Sequence, residues 1–129
     1  MTRHTVTVGP LLVLLLVVGA VAADEAEDRA IATIKKLGGK FERDEKKADK
    51  PVVRVDIARK DVASAALREL AALKQLQTLF LDGAKVTDAG LKELAGLTQL
   101  QTLGVALTEV TDAGVGELQK ALPRLRIER

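Results

Sequence analysis

From Val52 onward the apolar positions fall into one arrangement that returns. Val52, Val55, Ile57, Val62, Leu67, Leu70 and Leu73 are each followed 24 residues later by Leu76, Leu79, Leu81, Val86, Leu91, Leu94 and Leu97. The phrase Lys-Val-Thr-Asp-Ala-Gly-Leu-Lys-Glu-Leu at 85–94 comes back at 109–118 as Glu-Val-Thr-Asp-Ala-Gly-Val-Gly-Glu-Leu. Each unit changes period partway along. Leu79 and Leu81 alternate with Thr78 and Phe80, which predicts a short strand with the leucines turned inward and Thr78 and Phe80 outward. Leu91, Leu94 and Leu97 then step by three residues, which predicts a helix with one narrow apolar stripe. Thr87 or Asp88 is expected to cap that helix, and Thr111 or Asp112 the next one. Ala63 and Ser64 stand at the matching place in the first unit, so Ser64 is expected to cap there. The units run 52–75, 76–99 and 100–124, and a stub at 125–129 begins a fourth. A fixed period implies that neighbouring units touch through equivalent positions, with strands stacked about 4.8 Å apart.

Both ends of such a stack expose apolar faces and need closing. Residues 23–50 are expected to do this at the front, as a charged linker followed by a capping helix and a short strand. Ala30, Ile31, Ile34 and Leu37 lie on one side of the predicted helix. Gly38 or Gly39 ends it in the left-handed conformation. Residues 40–42 form the strand, and the charged stretch 43–51 turns the chain into Val52. At the back, Leu122, Leu125 and Ile127 supply packing, and Pro123 stops the last helix. Ahead of all this, residues 6–22 carry no charge; they follow Arg3 and His4 and lead into Asp24, Glu25, Glu27 and Asp28. That is the pattern of a secretory signal peptide over 1–22, with cleavage before Ala23. The expected destination is the periplasm or the exterior. The alternative is an uncleaved anchor, since the apolar run nearly reaches the roughly 17–25 residues that span a bilayer. A membrane association is expected only in that case.

Composition then narrows the chemistry. The chain has no Cys, Tyr, Trp or Asn, its one His is His4 and its one Ser is Ser64. A mature chain without His or Cys lacks the usual general base, the usual nucleophile and the soft metal ligands. Export therefore brings no disulfide framework, and no cofactor or metal is expected. The net charge is +2 with acids and bases intermixed, so no basic stripe for nucleic acid is present. Asp82, Asp88 and Asp112 are the only carboxylates worth considering for a hydrolase. Two of them sit at predicted helix starts, where capping is the better account.

Leu76, Leu79, Leu81 and Val86 fit the spacing L-x-x-L-x-L-x-x-x-x-[LV], and the unit ends in Val-Thr-Asp-Ala-Gly-Leu. Over residues 51–129 this resembles the leucine-rich repeat, in its bacterial Thr-Asp-Ala-Gly-Leu variety. The resemblance implies an α/β fold: a short right-handed solenoid with a parallel sheet on its concave face and short helices on its convex face. It also implies protein recognition rather than catalysis. The chain departs from the family at the ladder position, where Lys60, Ala84 and Thr108 stand and only Thr108 can hydrogen-bond inward. If the concave face binds a partner, the outward strand positions meet it: Arg54, Thr78 and Thr102 in one column, Asp56 and Phe80 in the next, and Asp82 and Leu107 just beyond. Phe80 is expected either to anchor the partner or to lie across Gly104 and Thr102 as a cover for the sheet. The partner is an unidentified protein. The alternative is a structural component of the cell envelope that self-associates or docks edge to edge with other repeat proteins.

Overall fold

The computed structural model describes residues 25–58 and 61–129. The expected signal peptide and Lys60 lie outside the described residues. Helix α1 (25–36) leads into strand β1 (Lys40–Arg43). Then follow β2 (Val52–Asp56), α2 (Ser64–Leu70), β3 (Thr78–Phe80), α3 (Asp88–Lys92), β4 (Thr102–Gly104), α4 (Asp112–Ala121) and β5 (Arg126–Glu128). The result is an α/β fold with a five-stranded sheet in the order β1-β2-β3-β4-β5.

Strands β2 to β5 are parallel and β1 is antiparallel to β2. The sheet is thus mostly parallel, wider than the three unit strands alone, and closed at the front by a reversed strand. The reversal follows from the length of the connection. Only the residues between Arg43 and Val52 join the two strands, and a parallel pair needs a crossover of a dozen residues or more. Helix α1 ends as its glycines dictate. Gly38 takes φ 71°, its amide donates to the Lys35 carbonyl at 3.0 Å, and the Gly39 amide reaches back to Ile34 at 2.8 Å.

The parallel register places residues 24 apart side by side. Val55, Leu79, Leu103 and Ile127 form one row across the sheet. The first three are fully buried, in one core with Leu67, Leu70, Leu91, Leu94 and Leu118. The helices therefore cover the face toward which this row points. Leu94 and Leu97 are buried but lie beyond the end of α3. There the amides of Leu94, Leu97 and Leu100 each donate three residues back, at 3.0 Å. The three-residue step of the leucines thus matches a chain of i→i+3 turns, whose side chains line up directly, better than it matches a continued α-helix. Among the described residues no charged or polar side chain is buried, and no helix is long and apolar enough to cross a membrane.

Candidate functional site

With the helices on one face, the other face of the sheet is left open. Two rows of side chains cross it: Glu42, Arg54, Thr78, Thr102 and Arg126, then Lys40, Asp56, Phe80, Gly104 and Glu128. Arg54 is exposed, while Asp56, Thr78, Phe80 and Thr102 are half-buried. The Arg54 guanidinium stands 5.1 Å from the centre of the Phe80 ring, within cation–π range. On the next strand the ring leans over Gly104, where an added Cβ would come within 2.7 Å of Phe80 Cδ1 and 2.9 Å of Asp82 Oδ1. Phe80 is therefore fitted against its own neighbours, Arg54 and Gly104, while it stays only half-buried.

Asp82, expected to face a partner, is engaged within the chain. Its Oδ1 accepts the Ala106 amide at 2.8 Å, and the Gly83 amide donates to the Ala106 carbonyl at 2.7 Å. Two turns of the chain are thereby locked together at residue 106. Thr108, expected to bond inward between turns, instead donates its hydroxyl to the Val105 carbonyl of its own turn at 2.6 Å.

The residue that follows this lock is Leu107. It is 93% exposed and is the one exposed large hydrophobic among the described residues. Its φ is 59°, in the left-handed region. Twenty-four residues earlier the same place is held by Gly83 with φ 73°, so the backbone asks for glycine at this point of the turn. A leucine there costs about 1–2 kcal/mol in steric strain. Fully exposed, it gains nothing from burial in return. The signal was present in the sequence as a leucine standing one period after a glycine. Its meaning required the dihedral angle.

In the Thr-Asp-Ala-Gly phrase the expected cap forms at Thr111, while Thr87 and Asp88 have a different basis. Asp88 makes no cap bond to its own helix, and neither does Thr87. The Asp88 carboxylate reaches into the next unit, where Oδ1 accepts the Thr111 amide at 2.8 Å and Oδ2 accepts the Thr111 hydroxyl at 2.5 Å. Thr111 in turn accepts the Gly114 amide at 3.3 Å and so caps α4. Gly114 is required because the Asp88 carboxylate fills the space that a Cβ would need. Thr, Asp and Gly thus form a joint between successive units. Asp112, one unit later at the equivalent place, is paired with Arg129. Ser64 is likewise not a cap: it is the first residue of α2, Ala63 stands at the cap position, and no side-chain cap bond forms.

These contacts decide what the carboxylates can do. Bonds from the Thr111 hydroxyl first, and then from its amide, hold the Asp88 carboxyl below its ordinary range. A general acid needs the opposite shift. Asp82, Asp88 and Asp112 each bind a different partner within the chain, and no cluster of potential metal ligands occurs among the described residues. Compared with known proteins, the chain matches no family model and no curated sequence.

Proposed function

We propose that this chain is an exported, non-catalytic leucine-rich-repeat module that binds a protein partner across its open sheet face, with Leu107 as the anchor. In this reading the units stack as a short solenoid, the open face is the concave one, and residues 1–22 direct export. The observation that carries it is Leu107 itself. A large apolar side chain, fully exposed on a strained backbone, has no account in stability. As a contact residue it has one, because anchors of this kind hold a large share of interface energy. The lock of Asp82 and Gly83 on Ala106 fixes the peptide that carries the anchor, so little order is lost when a partner binds. Arg54 and Phe80 add a cationic and aromatic surface on the open face itself. Five short strands give an interface at the low end of specific complexes, below about 1,200 Å².

The test is affinity capture from envelope and secreted extracts of the source cells, with the parent chain, a Leu107→Gly variant and a Phe80→Glu variant as parallel baits. Circular dichroism establishes that all three are folded. The expected result is a partner held by the parent and lost from Leu107→Gly, with weaker retention by Phe80→Glu. Equal capture by parent and Leu107→Gly would overturn the assignment of the anchor.

A further inference from the structure

Five arginines of the protein are paired with one of its own carboxylates, Arg43 with Glu27 at 2.8 Å and Arg68 with Glu93 at 3.2 Å among them. Arg54 and Arg124 have no such pairing among the described residues, and of these two only Arg54 is a strand residue of the open face. Acids stand close to it. Glu42 is its register partner on β1, and Asp56, two residues along β2, emerges on the same face. The Arg54 guanidinium takes neither and stands instead over the Phe80 ring on β3, 5.1 Å from its centre.

That arrangement fixes what the group has to offer. A guanidinium stacked on a ring uses its flat face, while its five N–H donors lie in its plane and point outward round the edge. The ring is itself held, since it leans over Gly104, where an added Cβ would meet Phe80 Cδ1 at 2.7 Å. Arg54 is exposed, so its donors are open to solvent and its orientation is set before anything binds. Thr78 and Thr102 continue the row from Arg54 across β3 and β4, at steps of about 4.8 Å. From β2 to β4 this row therefore offers one planar cationic fork and two hydroxyls, with no acid among them. Glu42 and Asp56 flank Arg54 on its other sides and repel an anion toward the threonines.

We propose that the Arg54 guanidinium, oriented by Phe80, receives a carboxylate side chain from an acidic segment of the protein partner. Two parallel N–H donors meet its two oxygens, a geometry that arginine and carboxylate share and lysine cannot reproduce. The hydroxyls of Thr78 and Thr102 donate to acceptors on the same segment as it crosses the sheet. Because the fork is already in place, less order is lost on binding than for a free arginine side chain. The inference rests on the reading of the open face as a protein-binding surface and names the chemistry of that partner; it does not depend on Leu107.

The experiment is selection of random peptides displayed on phage against the immobilised 129-residue chain. The baits are the parent, Arg54→Gln, Arg54→Glu, Phe80→Leu and Leu107→Gly, each shown folded by circular dichroism. The parent pool should be enriched in Asp and Glu over the unselected library. Arg54→Gln should lose that enrichment, and Arg54→Glu should reverse it toward Lys and Arg. For a peptide selected by the parent, affinity should fall roughly tenfold to a hundredfold with Arg54→Gln. It should fall by about twofold to fivefold with Phe80→Leu, which removes only the ring. Replacing the peptide's acid by its amide should weaken binding to the parent as much as Arg54→Gln does, and should add nothing in the Arg54→Gln background. Leu107→Gly should keep the acidic preference; whether it also keeps the parent's apolar residues tests the anchor separately. A parent pool without acidic enrichment, or an enrichment that survives in Arg54→Gln, overturns the proposal, and so does a parent that selects no peptide.

Discussion

Replacing Gly114 by alanine tests the joint between units, and Gly116 in the same helix supplies its control. By helix propensity alone both changes stabilise, since alanine is favoured over glycine within a helix by about 1 kcal/mol. At Gly116 nothing lies within 4 Å of the added Cβ, so a gain of about 0.5–1 kcal/mol is expected. At Gly114 the Cβ would occupy the place of the Asp88 carboxylate. Asp88 must then swing out and release both the amide and the hydroxyl of Thr111. Overpacking of this sort costs about 1–3 kcal/mol, which exceeds the propensity gain. The propensity gain is common to both, so the two variants should differ by about 1–3 kcal/mol, with Gly114→Ala the less stable. In a domain near 100 residues that separates their melting temperatures by roughly 5–20 °C. Thermal and urea unfolding followed by circular dichroism reads the difference. In an Asp88→Ala background most of the cost of Gly114→Ala should vanish, because the obstructing carboxylate is gone. If Gly114→Ala stabilises as much as Gly116→Ala, the joint does not exist in solution and the account of the repeated phrase is wrong.

Three further outcomes follow from the same geometry. Leu79 is fully buried in the middle strand, so Leu79→Ala should lower the unfolding free energy by about 2–5 kcal/mol in urea titration. Bonds from Thr111 lower the Asp88 pKa in the folded state, so Asp88 stabilises the fold above its unfolded pKa of about 4 and ceases to as pH falls through the folded value. Asp88→Asn should accordingly be less stable than the parent at neutral pH, with the difference shrinking below about pH 4; a constant gap across that range would contradict the assigned bonds. Leu107→Gly relieves the strain at φ 59° but frees the unfolded chain. Its melting temperature should stay level or rise, by up to about 1 kcal/mol in stability, and a clear loss would show that the leucine packs against something.

Much of the architecture was readable because burial obeys a period. The matched apolar positions put Val55, Leu79 and Leu103 in one buried row, and the alternation left Thr78 and Phe80 outside. Gly38 ended α1 as its position suggested. The errors have a common physical source. A carboxylate next to a helix start bonds whichever amide is nearest, and the local pattern around Asp88 cannot reveal that this amide belongs to Thr111 in the next unit. The same applies to Asp82 and Ala106. Ser64 matched a cap by residue type, yet it sits inside the helix and Ala63 at its start. The leucine steps at Leu94 and Leu97 suggested helix where the chain forms successive turns, because a period of three suits both. Leu107 was named among the outward residues, but its left-handed backbone angle is something that no pattern of polarity encodes.

The central claim is that a partner meets the open face and its rim, and site-specific photocrosslinking tests it most directly. A photoreactive side chain is placed at position 107 in one chain and at the exposed position 117 on α4 in another. Both are irradiated with extracts containing the partner. The account predicts an adduct from position 107 and none from position 117. An adduct from position 117 alone would put the partner on the helices and contradict it.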